Sequence, residues 1–352
     1  MLRARRLWTG DAWMEDAGLA ARDGQVVAVG PWRQLRGGYG PAAWDVDGVV
    51  VPGVVNAHMH GELSALAGRA PLDRGFTAWA AVVAQPDFWD EACVRTAVSA
   101  MDLAGHRLVL DVATRMVRPM AAVWETAGLW EYGLLCESLT YRIPRAWVPA
   151  VELAHGWMAP AAHSVYATAP TVLAGAKAWC RAHGRLFSLH AAEREDELCL
   201  ARERFGAGPD GVLARASSVV AALEALGVLD AGTLLVHGVH LGEADVALLA
   251  RRRSVVCLCP RSNAALGVGR APWALLRRSG LPVVLGTDSL ASAPDLDVWR
   301  EAAFLKEHLA PELCFAEALA LVTGQALGMG RLAPGAPAAV AVVPSWFAAL
   351  FS

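Results

Sequence analysis

Six of the ten histidines in this chain fall at or just past the ends of short apolar runs. The run VVPGVVNAHMH delivers His58 and His60 one residue apart, and in an extended chain such positions point to the same side. GWMAPAAHS closes on His163, and RLFSLHAAE on His190 with Glu193 three residues further on. TLLVHGVH gives His237 and then His240, and LPVVLGTDS ends in Asp288. Three imidazoles and a carboxylate make a good shell for one divalent first-row metal, most simply Zn²⁺, with Fe²⁺ and Mn²⁺ open. The ligand set is His58, His60, His190 and Asp288. Glu193 then stands beside the metal, placed for proton transfer. His237 is placed to hydrogen-bond the attacking water or a developing oxyanion. His106, His155, His183 and His308 fall in or beside helical stretches and are read as structural or solvated.

Each of these signals alone is weak. An isolated HxH or a strand-end histidine is usually structural, and GTD can be a turn or a helix cap. Their weight comes from the elements that would position them. Eight apolar runs, at 49–58, 106–115, 133–138, 156–164, 185–193, 233–240, 254–263 and 281–289, alternate with stretches of helical spacing such as DEACVRTAVSAMDLAG and EADVALLARRR. That alternation predicts an α/β fold, a (β/α)₈ TIM-like barrel over residues 51–325, whose strand C-termini gather at one mouth. Continuous apolar strands also suit a parallel sheet buried on both faces. Residues 1–50 read as short strands with turns between them, and the piece from 326 to 352 as one or two more that return to them. Together they predict a small β-sandwich-like domain. The C-terminal piece is short, so that domain is expected to be trimmed. Residues 64–90 are expected to form a loop and helix over the mouth, with Phe76 and Trp79 either touching substrate or packing the lid.

The bulk composition narrows the function classes. Among 352 residues the net charge is −3, so no basic surface argues for nucleic acid. The seven cysteines are scattered and odd in number, a poor disulfide framework and more in keeping with buried thiols in a reducing compartment. The N-terminus starts basic, but Thr9, Gly10, Asp11, Glu15 and Asp16 interrupt any apolar region of a leader. No run of 18 apolar residues appears. The expectation is a soluble cytoplasmic enzyme with a small-molecule partner and no membrane contact. Its 55% hydrophobic composition is compatible with a homodimer.

PGVVNAHMH, SLHAAE, LLVHGVHL and LGTDS, in that order over roughly residues 45–330, resemble the strand motifs of the amidohydrolase superfamily. The nearest likeness is to its cytosine/adenosine deaminase-like branch, which includes the triazine hydrolases. The resemblance implies a metal-dependent hydrolase of carbon–nitrogen bonds other than peptide bonds, with a barrel and a small sheet domain made from both termini. It implies that Asp288 and His237 orient a hydroxide that attacks an amino-bearing ring carbon. Glu193 then passes a proton to the ring nitrogen and to departing ammonia. A single metal is also indicated independently. Two-metal relatives bridge their ions with a carboxylated lysine at the end of the fourth strand, and here that strand ends in AAHSVY. The only lysines, Lys177 and Lys306, fall in helices. The H-x-E and P-C-x-x-C pattern of the other zinc deaminase fold is absent.

GELSAL (61–66) and CPRSNAALG (259–267) are similar to stretches of the aminodeoxyfutalosine deaminases of menaquinone biosynthesis. This likeness implies a nucleoside substrate bearing a carboxylate. A guanidinium fork grips a carboxylate well, and Arg261 is the candidate, with bracing of its own loop as the alternative. His163 is expected against the purine. Glu62 is expected either to accept from ribose hydroxyls or to support the histidines, and Ser262 and Asn263 to fix their turn. S-adenosylhomocysteine, methylthioadenosine, guanine and triazines are the alternative substrates. A non-catalytic relative would have shed ligands, and none is missing.

Overall fold

The structure is a computed structural model that describes residues 1–85, 87–127, 131–140 and 142–352. Four strands open the chain: β1 (Leu2–Trp8), β2 (Trp13–Arg22), β3 (Gln25–Pro31) and β4 (Trp44–Pro52). Eight follow: β5 (Val54–Met59), β6 (His106–Ala113), β7 (Glu131–Ser138), β8 (Gly156–Ala162), β9 (Phe187–Ala191), β10 (Thr233–His237), β11 (Val255–Leu258) and β12 (Val283–Leu285). A short β13 (Val340–Val342) comes last.

The terminal strands build one five-stranded sheet in the order β13-β4-β1-β2-β3, antiparallel except where β1 meets β4. Helix α1 (Trp32–Tyr39) lies on β2 at Gly18, where an added Cβ would come within 3.2 Å of both Leu35 and Trp32. The expected sandwich-like unit is therefore a single layer with a helix on it. The cause lies in the last residues. Beyond the three-residue β13 the chain turns back to the barrel, where fully buried Phe347 packs on Trp299 and Phe315. The strand expected over 49–58 is split at Gly53. Val50, Val51 and Pro52 pair with β13, whereas Val54, Val55 and Asn56 pair with β6. A Cβ at position 53 would come within 2.5 Å of the Arg107 side chain.

β5 to β12 run parallel in two sets of four, β5-β6-β7-β8 and β9-β10-β11-β12. Backbone bonds of site residues close both seams. The His190 N–H donates to the His163 carbonyl (2.8 Å) between β8 and β9. The Thr287 and Asp288 N–H groups donate to His58 O (2.9 and 3.1 Å), and His60 N–H donates to Asp288 O (2.9 Å), between β12 and β5. The strands are apolar along their length because helices cover their outer face. Of those helices, α2 (Gly75–Val83) fully buries none of its residues and lies over the mouth. α3 (Glu91–Leu103) is capped by Asp90, which accepts from Ala92 and Cys93 N–H, and buries Val94, Ala97, Val98 and Met101 at helical spacing. α4 (Val117–Trp124), α5 (Pro170–Ala182) and α6 (Glu197–Phe205) continue the outer ring. The seven cysteines are all free thiols. Among the described residues no helix is long and apolar enough to cross a membrane.

Candidate active site

β5 carries His58 and His60 into the mouth, and Asn56 fastens it to the turn after β12, giving its amide to Thr287 Oγ1 (2.8 Å) and accepting from Thr287 N–H (3.2 Å). His190 enters from the end of β9. Its N–H at Nδ1 donates to the His163 carbonyl (3.1 Å), which leaves the Nε2 lone pair facing the other two rings. His190 Nε2 lies 3.2 Å from His58 Nε2 and 3.3 Å from His60 Nε2. Tetrahedral Zn–N bonds of about 2.0–2.1 Å place two nitrogens about 3.3 Å apart, so the spacing fits an ion of that size. Burial, then the neighbouring imidazoles, lowers the pKa of His58 well below its ordinary value. His190 is lowered by the same causes. Both rings are therefore neutral, as ligands must be.

Asp288 stands beside the three rings. Its Oδ2 accepts from Ser262 and Ser292 hydroxyls, both at 2.6 Å. Its Oδ1 faces His58 and His60 Nε2 at 3.8 and 3.7 Å. Asp288 and His237 have positive φ, 60° and 78°. Such backbone costs about 1–3 kcal/mol per residue and is held only where the surroundings enforce it. Here it turns the ends of β12 and β10 so that both side chains aim inward. His237 Nδ1 donates to Asn263 Oδ1 (2.8 Å), so its Nε2 is the face presented to the site, 3.6 Å from Glu193 Oε1. Asn263 thus does more than fix its turn. Glu193 is buried, and burial raises its pKa above the ordinary carboxylate value.

Two carboxylates that position this machinery carried no sequence signal beyond their type. Glu197, at the start of α6, accepts from the N–H groups of Ala192 (3.1 Å), Glu193 (2.7 Å) and Arg194 (3.1 Å), and so shapes the turn that carries Glu193. Asp111 of β6 accepts from Gly61 N–H (2.7 Å) and Trp124 Nε1 (2.6 Å), which fixes the chain just past His60. An acidic residue inside the apolar run HRLVLDVATR was the available hint.

The cavity beside the histidines has a volume of about 510 Å³, within the usual range for small-molecule sites. His163 lines it, as do Phe76 and Trp79 of α2, and Trp79 Nε1 also donates to Ala291 O (2.9 Å). Glu62 lines it too, but both its oxygens are engaged. Oε1 accepts from Thr114 N–H, and Oε2 from Arg115 and Met116 N–H. It braces the loop after β6, and the expectation of a ribose acceptor meets an already occupied carboxylate. Arg261 is a correction. Its guanidinium forms a fork with Asp295 (2.6 and 3.0 Å) and lies 3.6 Å from Glu301, outside the cavity. The guanidinium is thus already held by acids 34 and 40 residues further along the chain. His240 bonds Val268 O at the rim (3.0 Å).

A parallel barrel with three convergent imidazoles, a carboxylate and a buried acid at its strand ends is the construction of a metal-dependent hydrolase. The chain belongs to the amidohydrolase family, whose sequence model matches residues 49–351. It is a hydrolase of carbon–nitrogen bonds that uses a divalent metal. Its similarity to a 5-methylthioadenosine/S-adenosylhomocysteine deaminase of Nitratidesulfovibrio vulgaris is 30% identity over 92% of this chain and 78% of that one. An adenosine deaminase from Xanthomonas campestris with bound zinc superposes with a TM-score of 0.78 at 25% identity, over 96% of this chain and 83% of that one. The Helicobacter pylori aminofutalosine deaminase, in complex with methylthio-coformycin, shares the fold with a TM-score of 0.81 at 20% identity, over 99% and 94% of the two chains.

Proposed function

We propose that this protein deaminates an adenine-type nucleoside with a single zinc ion held by His58, His60, His190 and Asp288. The observation that carries the reading is the buried Glu193 carboxyl, 3.6 Å from His237 Nε2 and beside the three convergent imidazoles, in a cavity with an aromatic wall. A bound divalent metal supplies Lewis acidity, which brings a water near neutral pKa. The chain's own residues do the rest. Glu193, its proton held more firmly by burial, delivers that proton to the ring nitrogen beside the reacting carbon, takes one from the attacking oxygen and passes it to the leaving amine, and is reprotonated by the next water. His237 Nε2 and Asp288 Oδ1 orient the attacking oxygen, with Asn263, Ser262 and Ser292 holding both in place. α2 and the loop after β6 shield the cavity from solvent.

Two finer readings of the substrate follow from it. The name of the Nitratidesulfovibrio relative supports 5′-methylthioadenosine or S-adenosylhomocysteine. The stretches GELSAL and CPRSNAALG support 6-aminodeoxyfutalosine, and with it a place in menaquinone biosynthesis. The pairing of Arg261 with Asp295 removes the carboxylate grip on which the second relied, and favours the methylthio nucleoside. The test is ammonia release by zinc-loaded protein from 5′-methylthioadenosine, S-adenosylhomocysteine, 6-aminodeoxyfutalosine, adenosine, guanine and cytosine. Preference for an adenine nucleoside is the expected result. Turnover confined to guanine or cytosine would overturn it.

A further inference from the structure

Glu137, at the end of β7, takes no part in the chemistry above, yet it lines the same cavity. Its side chain is 3% exposed. Oε2 accepts the Thr114 hydroxyl at 2.7 Å. Oε1 is buried and has no hydrogen-bond partner among the described residues. The nearest charged or ionisable group, His190 Nδ1, is 3.6 Å away, beyond hydrogen-bond reach, and its one hydrogen already goes to the His163 carbonyl. A buried carboxylate oxygen left without a donor is costly. Such a group calls for an explanation, and a ligand donor that completes it is one.

The rest of the cavity wall narrows the kind of ligand group. Arg115 and Arg204 also line it, but the Arg115 guanidinium is committed to the Val83, Ala84 and Gln85 carbonyls and covers Phe88, and Arg204 donates to Tyr166 O (3.4 Å). Glu62 is committed to three backbone N–H groups. Close to the histidines, then, the wall offers an open acceptor, and both of its guanidinium groups are engaged with protein carbonyls. An anionic substituent would be repelled there, and a neutral O–H or N–H donor would be bound.

We propose that Glu137 is a specificity-determining residue whose Oε1 accepts a hydrogen bond from a neutral donor of the substrate. This deepens the nucleoside reading and rests on it. A nucleoside's sugar hydroxyl and, should the base be guanine rather than adenine, a ring N–H share this chemistry, so the experiment has an arm for each. In the sugar arm, kcat/KM is measured for adenosine, 2′-deoxyadenosine and 3′-deoxyadenosine. In the ring arm, guanine is compared with 1-methylguanine, by turnover or, where there is none, by competitive inhibition. Each arm is run on zinc-loaded wild type, Glu137→Gln and Glu137→Ala, with the metal content of every preparation determined. Glu137→Gln keeps an acceptor for Thr114 and guards against a variant that fails to fold.

The expected result is a loss of about tenfold or more in wild type when one particular donor is removed from the substrate. That loss shrinks in Glu137→Gln and vanishes in Glu137→Ala, at unchanged metal content. The proposal is overturned if the variants lose the same factor on every substrate, since a role in bracing Thr114 or His190 would do that. It is overturned if wild type discriminates in neither arm. It is also overturned if wild type binds two metal ions and Glu137→Ala one, because Glu137, His163 and His190 also lie close enough together to hold a cation. If no adenine nucleoside is turned over, the substrate reading has failed, and the ring arm still decides the role of Glu137.

Discussion

At the scale of single residues the site separates holding a metal from moving a proton. Glu193 is three residues from His190 but points at His237, so removing its ionisable carboxyl leaves the imidazole cluster intact. Glu193→Gln is expected to retain full metal and to lose turnover by about 10²–10⁴-fold, checked by metal analysis beside an ammonia-release assay. His58→Ala removes one of the two nitrogens that lie 3.2 and 3.3 Å from His190 Nε2 and is expected to lose the metal itself; full occupancy in that variant would refute the ligand set. These residues were legible in the sequence because each announces its chemistry by type and by its place at a strand end. Arg261, Asn263, Glu197 and Glu137 were not. What each does depends on a partner that the sequence does not mark, such as Asp295 for Arg261 and Thr114 for Glu137.

At the scale of elements, α2 buries none of its residues fully. Trp79, Val82 and Val83 pack on the cluster of Leu63, Leu66, Phe88 and Ala291. The Trp79 bond to Ala291, the stacking of Arg194 on Phe76 and the three carbonyls that accept from Arg115 add polar ties. Arg115→Ala frees the C-terminal end of the helix without touching a metal ligand. It is expected to raise KM about tenfold with metal content unchanged and a smaller effect on kcat, read from steady-state kinetics on the preferred nucleoside. The sequence showed that a loop and helix lay over the mouth, but not what fastened them. Pro86, within that stretch, lies outside the described residues. The eight barrel strands were visible as apolar runs, yet the first run hid a junction. Its residues are β-branched and apolar on both sides of Gly53, and only pairing partners distinguish the end of the terminal sheet from the start of the barrel.

At the scale of the whole molecule, buried titratable groups away from the metal set a pH window. His106 donates from Nδ1 to Met101 O and accepts at Nε2 from Val298 N–H, a neutral tautomer that joins α3 to the helix Val298–His308. Burial lowers its pKa to about 4, so the stability it confers is present above about 6.5 and is lost as pH falls through about 4. Glu301 is pushed the other way, to about 8, chiefly by burial. Its contribution is fully present below about 4.5 and is lost as pH rises through about 8, with a slope of at most about 1.4 kcal/mol per pH unit. Thermal unfolding of metal-saturated protein is expected to show a Tm that falls between pH 6.5 and 8.5. Glu301→Gln is expected to flatten that fall, and an unchanged slope would refute the assignment. The seams of the barrel bear on the protein's life in a cell. Each is fastened in part by the backbone of residues that would grip the ion, His190 at one and His58, His60 and Asp288 at the other, so the ion would work as a clasp on the cylinder as well as a reagent. A chelated sample is expected to unfold at a lower temperature by the mass-action margin of metal binding. Metal-starved copies would be the first to open to proteases, and cellular abundance would then follow metal supply.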